Sequence, residues 1–334
     1  MPGLMVQNTR GGIVESVHRL SVVVVDADGR VRAGSGDVAF PTYVRSAAKP
    51  FQAMPLIADG ATEALGIGEP ELALACASHN SERRQVERVA AWLGRLGLAE
   101  EALVCGPHPP LGKVLALGPA TRSHEDGTDL VAPSRLASNC SGKHTGMLSL
   151  ALHHGWETRG YHQPDHPVQQ AARREVREWA GVLDAELGAG VDGCGVIAFS
   201  LPLRAMATAY ARLVTDGSDP ALRVRQAMMR YPELVAGEGR LDTALMRALP
   251  GRVVSKVGAE GVYGVGLVDR GLGLALKVED GDASAAMVAL VAALRQLEIL
   301  PPDALAPFAS LPIVNTRGDT VGEVRASGSL KWSD

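Results

Sequence analysis

The spacing of apolar residues changes twice along the chain, and these changes predict where strands give way to helices. Residues 20–26 and 30–40 are rich in β-branched and apolar side chains, and the Asp-Ala-Asp-Gly turn at 26–29 predicts a β-hairpin. Apolar positions then recur every three to four residues, which predicts helices over 69–77, 82–96, 168–180, 203–215 and 220–231. Strand-like segments return at 252–256, 261–268 and 273–278, before a last helix expected over 283–297.

This order of elements predicts a mixed α/β fold of the α+β type, with an antiparallel sheet flanked by helices. We expect residues 1–60 and 251–334 to share the sheet, 61–250 to form a mostly helical inserted lobe, and the whole to be one compact unit. With 334 residues, 46% of them hydrophobic, the chain is long enough to bury a sizeable core. The Pro- and Gly-rich segment 106–118 predicts an exposed loop.

Composition excludes several classes of function. A net charge of −4 and 4% aromatic residues argue against a nucleic-acid partner, which would need a basic surface or stacking rings. The N-terminus lacks the charged and apolar regions of a signal peptide, and the longest apolar runs are too short to cross a bilayer, so we expect a cytoplasmic protein with no membrane partner. Four cysteines in a chain of this length do not form a disulfide framework, which leaves thiol or metal chemistry.

Three short motifs appear in an order typical of serine hydrolases of the β-lactamase and penicillin-binding type. They are S-x-x-K at Ser46 and Lys49, S-x-N at Ser78 and Asn80, and K-x-G beginning at Lys256. The S-x-x-K motif alone is weak evidence for this chemistry, because many helices contain it by chance. Three motifs in the expected order are much more specific.

These motifs predict two Ser–Lys pairs facing one cleft. Ser46 is expected at a helix start with Lys49 on the same face, where the helix dipole and a second lysine, Lys256, would favour a neutral amine. Ser78 would be a relay hydroxyl held by Lys256, and the Asn80 amide would be available to substrate. The alternative is that Ser78 only caps a helix that ends or starts near residues 81–82.

Two Gly-rich segments, 139–144 and 191–195, carry Cys140 and Cys194 in predicted turns. Two thiolates with one further donor would suit Zn²⁺. Lys143 could be that donor as a neutral amine, and His144 is the conventional alternative. The other interpretation is a pair of buried or reactive thiols that bind no metal.

Several sequence blocks together resemble the Rhizobium-type L-asparaginases, also called asparaginase II. The blocks lie at residues 9–18, 45–50, 76–80, 139–144, 192–195 and 255–258, and the resemblance covers nearly the whole chain. It implies a homodimer in the cytoplasm, with a serine β-lactamase or glutaminase-like fold, that hydrolyses L-asparagine to L-aspartate and ammonia.

The resemblance also implies roles for particular residues. Ser46 and Lys49 would be nucleophile and base, Ser78 and Lys256 the second pair, and Cys140, Lys143 and Cys194 the ligands of a zinc ion that tunes substrate binding without performing the chemistry. We further expect a substrate held at both ends, with Arg45 or another cation near its carboxylate and Asp192 near its ammonium. The predicted substrate-binding residues are therefore Arg45, Asn80, His144 and Asp192.

Two other functions are alternatives to asparagine hydrolysis. A β-lactamase or transpeptidase would use the same Ser–Lys chemistry, but its usual targets lie outside the cytoplasm. A non-catalytic zinc or thiol sensor would bind metal through the two cysteine segments and release no ammonia. A sensor function would leave the Ser–Lys motifs without a role.

Overall fold

Antiparallel strands from both ends of the chain meet in the largest sheet of the protein. The structure is a computed structural model that describes residues 2–111 and 130–333. Its strands are β1 (Met5–Arg10), β2 (Ile13–His18), β3 (Leu20–Val25), β4 (Val31–Ser35), β5 (Pro41–Tyr43), β6 (Gly188–Val191), β7 (Ile197–Pro202), β8 (Val253–Gly258), β9 (Val262–Leu267), β10 (Leu272–Val278), β11 (Ser310–Val314), β12 (Thr320–Ser327) and β13 (Lys331–Trp332). They form sheets with the orders β13-β4-β3-β10-β9-β8, β11-β12-β1-β2 and β5-β7-β6.

Most of the helices lie between β5 and β8 along the chain. The α-helices in the described ranges are α1 (Lys49–Gln52), α2 (Met54–Ala58), α3 (Ala61–Ala64), α4 (Glu69–Ala75), α5 (Arg83–Arg95), α6 (Ser141–His153), α7 (Pro167–Ala180), α8 (Leu203–Thr215), α9 (Asp219–Arg230), α10 (Pro232–Val235), α11 (Leu241–Ala248), α12 (Ala283–Gln296) and α13 (Ala306–Ala309). A 3₁₀ turn, Arg45–Ala48, leads directly into α1. In the part of the chain that the structure describes, no helix is both long and apolar enough to cross a membrane.

Helix α8 packs closely on the six-stranded sheet because the sheet presents glycine to it. A Cβ at Gly273 would lie 2.0 Å from the carbonyl oxygen of Ala207, and one at Gly264 would lie 2.1 Å from the ring of Tyr210. Strand β3 is buried along its whole length, as its run of valines predicts for a strand covered on both faces. Helix α12 contacts strands of this sheet and of the four-stranded sheet.

The predicted fold class, a mixed α/β fold with antiparallel strands and flanking helices, is confirmed. The hairpin of β3 and β4 forms as predicted, although β4 ends at Ser35 and not at residue 40. The prediction of one sheet was incomplete, because residues 2–111 and 130–333 form three. Of the predicted loop 106–118, residues 112–118 lie outside the described residues.

Cys140 lies in a turn as predicted, but the rest of its segment, residues 141–144, is helical. Cys140 is the residue that precedes helix α6, so Lys143 and His144 lie in the first turn of that helix. Gly142 permits this arrangement, because a Cβ there would lie 2.3 Å from the carbonyl oxygen of Leu74 in α4. The glycine is therefore needed for close contact between two helices.

Candidate active site

A cleft of about 250 Å³ brings together residues that are far apart in the sequence. Both predicted serines, Ser46 and Ser78, line it, and so do Asn139, Arg240 and Glu260. Ser46 comes from the 3₁₀ turn before α1, Ser78 from the segment after α4, and Glu260 from the turn between β8 and β9. The cleft has room for a small amino acid.

Ser78 lies between the amines of two buried lysines. Lys49 Nζ is 3.0 Å from Ser78 Oγ, and Lys256 Nζ is 2.9 Å from the same oxygen. Lys49 is 1% exposed and Lys256 is fully buried, so water does not screen these contacts. One hydroxyl in contact with two amines is well placed to pass its proton to either of them.

The backbone around Lys256 explains how its amine reaches Ser78. Lys256 lies on β8, which packs against the 3₁₀ turn Arg45–Ala48. Two residues later, a Cβ at Gly258 would lie 2.7 Å from the carbonyl oxygen of Val44. The glycine of the K-x-G motif therefore lets this strand approach the segment that carries Ser46.

Burial and charge together lower the pKa of Lys256 to about 7. Loss of hydration is the larger cause because it penalises the ammonium form, and the nearby Lys49 amine adds to it. Asp242 acts in the opposite direction with a smaller effect. Lys256 can therefore be a neutral amine near neutral pH, as a general base for Ser78 must be.

Lys49 donates its hydrogen bonds to groups other than Ser46. Its amine contacts the carbonyl oxygen of Ala77, Ser78 Oγ and, at 3.2 Å, Cys140 Sγ. Three contacts use all the donors of an ammonium group. Within the described residues no hydrogen bond joins Lys49 to Ser46, so the structure does not form the predicted contact of the S-x-x-K pair.

Ser46 follows a residue with an unusual backbone. Arg45 has φ +48°, a left-handed conformation that costs a residue other than glycine about 1–2 kcal/mol. The strain directs the chain into the turn Arg45–Ala48 and leaves Ser46 half-buried at the wall of the cleft. Residues held in this conformation by their surroundings cluster at functional sites.

The alternative role for Ser78, as a helix cap, does not match the described contacts. The residue that caps α5 is Glu82, and its backbone N–H bonds to Gln85 Oε1. The Ser78 backbone N–H bonds instead to the carbonyl oxygen of Val235. Ser78 is therefore held through its backbone by the segment that contains Val235, and its hydroxyl contacts the two lysines.

Asn80 is buried and its side-chain amide is occupied by protein groups. Its Nδ2 donates to Glu82 Oε1 at 3.2 Å and to the carbonyl oxygen of Glu238 at 3.0 Å, and its Oδ1 accepts from Arg240 Nη1 at 3.1 Å. Asn80 does not line the cleft. In this structure it holds Arg240 in place beside Ser78.

The two predicted charge-recognition residues bind each other. Arg45 Nη2 lies 2.9 Å from Asp192 Oδ1, and both side chains are mostly buried. Burial alone would raise the pKa of Asp192, but the contact with Arg45, together with the charges of Lys143 and Lys49, outweighs it and the pKa is lowered. Neither residue is among the described residues that line the cleft.

Cys140, Lys143 and Cys194 lie together near Lys49 and Lys256. Lys143 Nζ is 3.0 Å from Cys194 Sγ. The hydrogen bond from the Cys140 thiol, followed by the charge of Lys143, lowers the pKa of Cys194 to about 5, whereas the same hydrogen bond and burial raise the pKa of Cys140 to about 12. Burial opposes the charge on Lys143, but the facing sulfurs outweigh it and raise its pKa.

Two sulfurs and one amine are a donor set that zinc accepts, and Lys143 would have to lose its proton to be one of the ligands. Among the described residues no three His, Cys, Asp or Glu side chains are grouped as metal ligands. His144, the conventional alternative ligand, is fully buried, and its Nδ1 lies 2.7 Å from the Tyr161 hydroxyl. Burial lowers the pKa of His144 to about 3, and the residue does not line the cleft.

Sequence reasoning missed two charged residues of the cleft, Arg240 and Glu260. Arg240 precedes α11 and belongs to no motif, so only the folded chain shows that it lies beside Ser78. Glu260 lies four residues beyond Lys256 in a tight turn. A glutamate in a turn that favours Gly, Asn or Asp is a faint signal of special use.

A comparison with known families gives one match over most of the chain. The model of the family described as L-asparaginase II matches residues 6–326. No curated protein shows significant sequence similarity to the chain.

Two solved structures are similar to the chain at low sequence identity. Mglu in its native form is 15% identical over 86% of this chain, with a TM-score of 0.48, and the match spans 66% of Mglu, slightly less than two thirds of its length. A β-lactamase from Mycobacterium bovis is 14% identical over 83% of this chain and 94% of that one, with a TM-score of 0.41.

Proposed function

Because the chain belongs to the L-asparaginase II family, we propose that it hydrolyses L-asparagine to L-aspartate and ammonia through an acyl-enzyme. The observation that carries this proposal is the contact of Ser78 with both Lys49 and Lys256 at the wall of a cleft of amino-acid size. A serine whose hydroxyl contacts a buried amine of lowered pKa is equipped to act as a nucleophile.

In the proposed reaction, neutral Lys256 takes the hydroxyl proton of Ser78 while Ser78 Oγ attacks the side-chain amide carbon. The tetrahedral intermediate collapses as the protonated Lys256 returns the proton to the leaving nitrogen, which departs as ammonia. Water then attacks the acyl carbon while Lys256 accepts one of its protons. As the bond between that carbon and Ser78 Oγ breaks, Lys256 returns the proton to Ser78 Oγ, and aspartate is released. Lys49 donates a hydrogen bond to Ser78 Oγ throughout and keeps it oriented.

The motif-based assignment, with Ser46 as nucleophile and Lys49 as base, stays the alternative within this function. Both serines line the cleft, so either could reach the substrate. The described hydrogen bonds favour Ser78, because they give it two amine partners and give Ser46 none among the described side chains.

Asparagine is the proposed substrate in preference to glutamine. Glutamine is one methylene longer, and a rigid cleft that places the asparagine amide against the serine would displace the longer side chain. One methylene is worth about 1–3 kcal/mol in such discrimination. The expected preference for asparagine is therefore about 10-fold to 200-fold in kcat/KM.

Zinc is proposed as a ligand that tunes binding. Cys140, Lys143 and Cys194 would hold it, and the bound ion would tie the start of α6 to the turn that carries Asp192. The Ser78 and Lys256 pair already supplies nucleophile and base, so the reaction leaves no role for a metal-activated water. A homodimer in the cytoplasm is proposed from the family resemblance.

The test compares three serine variants by ammonia release and by trapping of the acyl-enzyme. Ser78→Ala should lower kcat by at least about 1,000-fold, because removing a nucleophile has effects of that size or larger. Ser46→Ala should lower it much less. Ser149→Ala is the matched control, since Ser149 is equally buried but bonds only to the backbone of α6.

A large loss of kcat in Ser46→Ala and a small loss in Ser78→Ala would assign the nucleophile to Ser46. Mass spectrometry of quenched turnover locates the acyl group on one serine peptide directly. Hydrolysis of nitrocefin would indicate a β-lactamase. Zinc binding without ammonia release from asparagine or glutamine would indicate a sensor. Either of these two results would contradict the proposed reaction.

A further inference from the structure

Arg240 and Glu260 line the catalytic cleft and take no part in the Ser–Lys chemistry. Of the described residues that line the cleft, they are the ones that carry charge. One is a cation and the other an anion. A free amino acid carries the complementary pair of charges on its α-carbon.

The Glu260 carboxylate is held at the edge of the cleft without a fixed partner. Within residues 2–111 and 130–333 it makes no hydrogen bond or ion pair, and its Oε2 lies beside Gly281, close to where a Cβ would be. Glu260 has φ +61° in the turn between β8 and β9, where glycine or asparagine would be less strained. A strained residue with a free carboxylate in a catalytic cleft suggests a ligand contact.

The Arg240 guanidinium is anchored on one side only. Its Nη1 donates to Asn80 Oδ1 at 3.1 Å and approaches the carbonyl oxygen of Ser78 at 3.5 Å. A guanidinium has five N–H donors, and the others make no hydrogen bond to the described residues. The rigid, planar group is therefore fixed beside the catalytic serine, with donors left for a carboxylate.

We propose that Arg240 binds the α-carboxylate of the substrate and that Glu260 binds its α-ammonium group. This inference rests on the proposed function, since it describes how the same cleft holds its amide substrate. It replaces Arg45 and Asp192 in these roles, because those two residues neutralise each other at 2.9 Å and do not line the cleft. The substrate class is then a free amino acid amide, because an asparagine inside a polypeptide lacks both charges.

The test uses equilibrium binding of product-like ligands, which needs no turnover. L-aspartate carries both α-groups, succinate lacks the ammonium, and β-alanine lacks the α-carboxylate. Glu260→Gln should weaken L-aspartate binding about 10-fold, as expected for loss of one charge-assisted hydrogen bond, and should weaken succinate binding far less. Glu279→Gln is the matched control, because it removes the same charge from an exposed site outside the cleft.

Arg240→Lys should show the mirror pattern, with weaker binding of L-aspartate and succinate and a much smaller effect on β-alanine. Lysine keeps the charge but loses the planar fork, so the fold is checked by urea unfolding. If this variant does not fold, the Glu260→Gln comparison decides by itself. Equal losses for L-aspartate and succinate in Glu260→Gln would overturn the proposal.

The binding assay also separates this inference from the proposed function. Suppose the wild type releases no ammonia from any amide, yet Glu260→Gln weakens L-aspartate selectively. The reaction would then be wrong and the charge recognition right. If the wild type hydrolyses asparagine while Glu260→Gln affects both ligands equally, the function stands and the recognition by Glu260 is wrong.

Discussion

Replacing Lys256 with methionine should change how the stability of the protein depends on pH. The folded-state pKa of Lys256 is about 7, well below its ordinary value of 10.5, because the amine is buried beside Lys49. Between these two values the unfolded chain binds a proton that the folded chain does not. The free energy of unfolding therefore rises with pH across this window, and below about pH 7 the wild type bears the full cost of the buried amine.

The size of the effect follows from the shift. One bound proton changes the free energy of unfolding by about 1.4 kcal/mol for each pH unit, so Lys256 contributes a rise of about 2–3 kcal/mol from pH 7.5 to 9.5. Lys256→Met has a side chain of similar length and no proton to exchange. Its unfolding free energy should rise less steeply with pH, and it should be the more stable protein near pH 7.

Urea unfolding of both proteins at pH 7.5, 8.5 and 9.5 measures the difference. Lys331→Met, which alters an exposed lysine on β13, is the control for loss of a positive charge. In parallel, kcat/KM of the wild type for asparagine should rise with pH up to about 7 and then level, because the base must be neutral. Parallel stability profiles for wild type and Lys256→Met would refute the lowered pKa and with it the assigned base.

Two further predictions concern backbone approach and metal. Gly258→Ala should destabilise the protein by about 1–3 kcal/mol and lower kcat, because its Cβ would collide with the Val44 carbonyl oxygen, whereas Gly94→Ala, at an open helical position, should be neutral or stabilising. Urea unfolding of both variants measures this. Removal of zinc, measured by metal analysis and asparagine kinetics, should raise KM more than it lowers kcat, and Cys194→Ala should lose the metal; a complete loss of kcat that only metal restores would make zinc catalytic.

Much of the fold was predictable because its central elements have regular apolar patterns. Helix α8 begins and ends at the predicted residues, and β8 to β10 lie within two residues of their predicted bounds. The sheet of β1, β2, β11 and β12 was not predicted. Strand β2 is largely exposed, and no alternation of buried and exposed positions marks it as a strand. The pairing of β1 with β12 in this sheet joins residues more than 300 positions apart along the chain, as in the register of Met5 with Ser327.

The two serines of the cleft were predictable from the sequence, but its charged residues and the contacts of the lysines were not. The motifs correctly indicated that Ser46 and Ser78 share a cleft, and the two glycines at 142 and 258 stand where close approach requires them. The spacing of motifs does not predict which partner the charged end of a long side chain contacts. Arg45 and Asp192 look like two substrate contacts in the sequence, yet at 2.9 Å they form an ion pair.

The contacts of Lys49 show why spacing along a helix was insufficient. Residues three apart on a helix share a face, and this rule places Ser46 and Lys49 together. The rule takes no account of other hydrogen-bond acceptors around the lysine amine. Here the interior offers the carbonyl oxygen of Ala77 and the sulfur of Cys140, and a buried amine must satisfy its donors. Those acceptors come from segments that no local pattern links to Ser46. Burial, followed by the charge of Lys49, lowers the pKa of Lys256, which makes Lys256, and not the Lys49 of the S-x-x-K pair, the expected base.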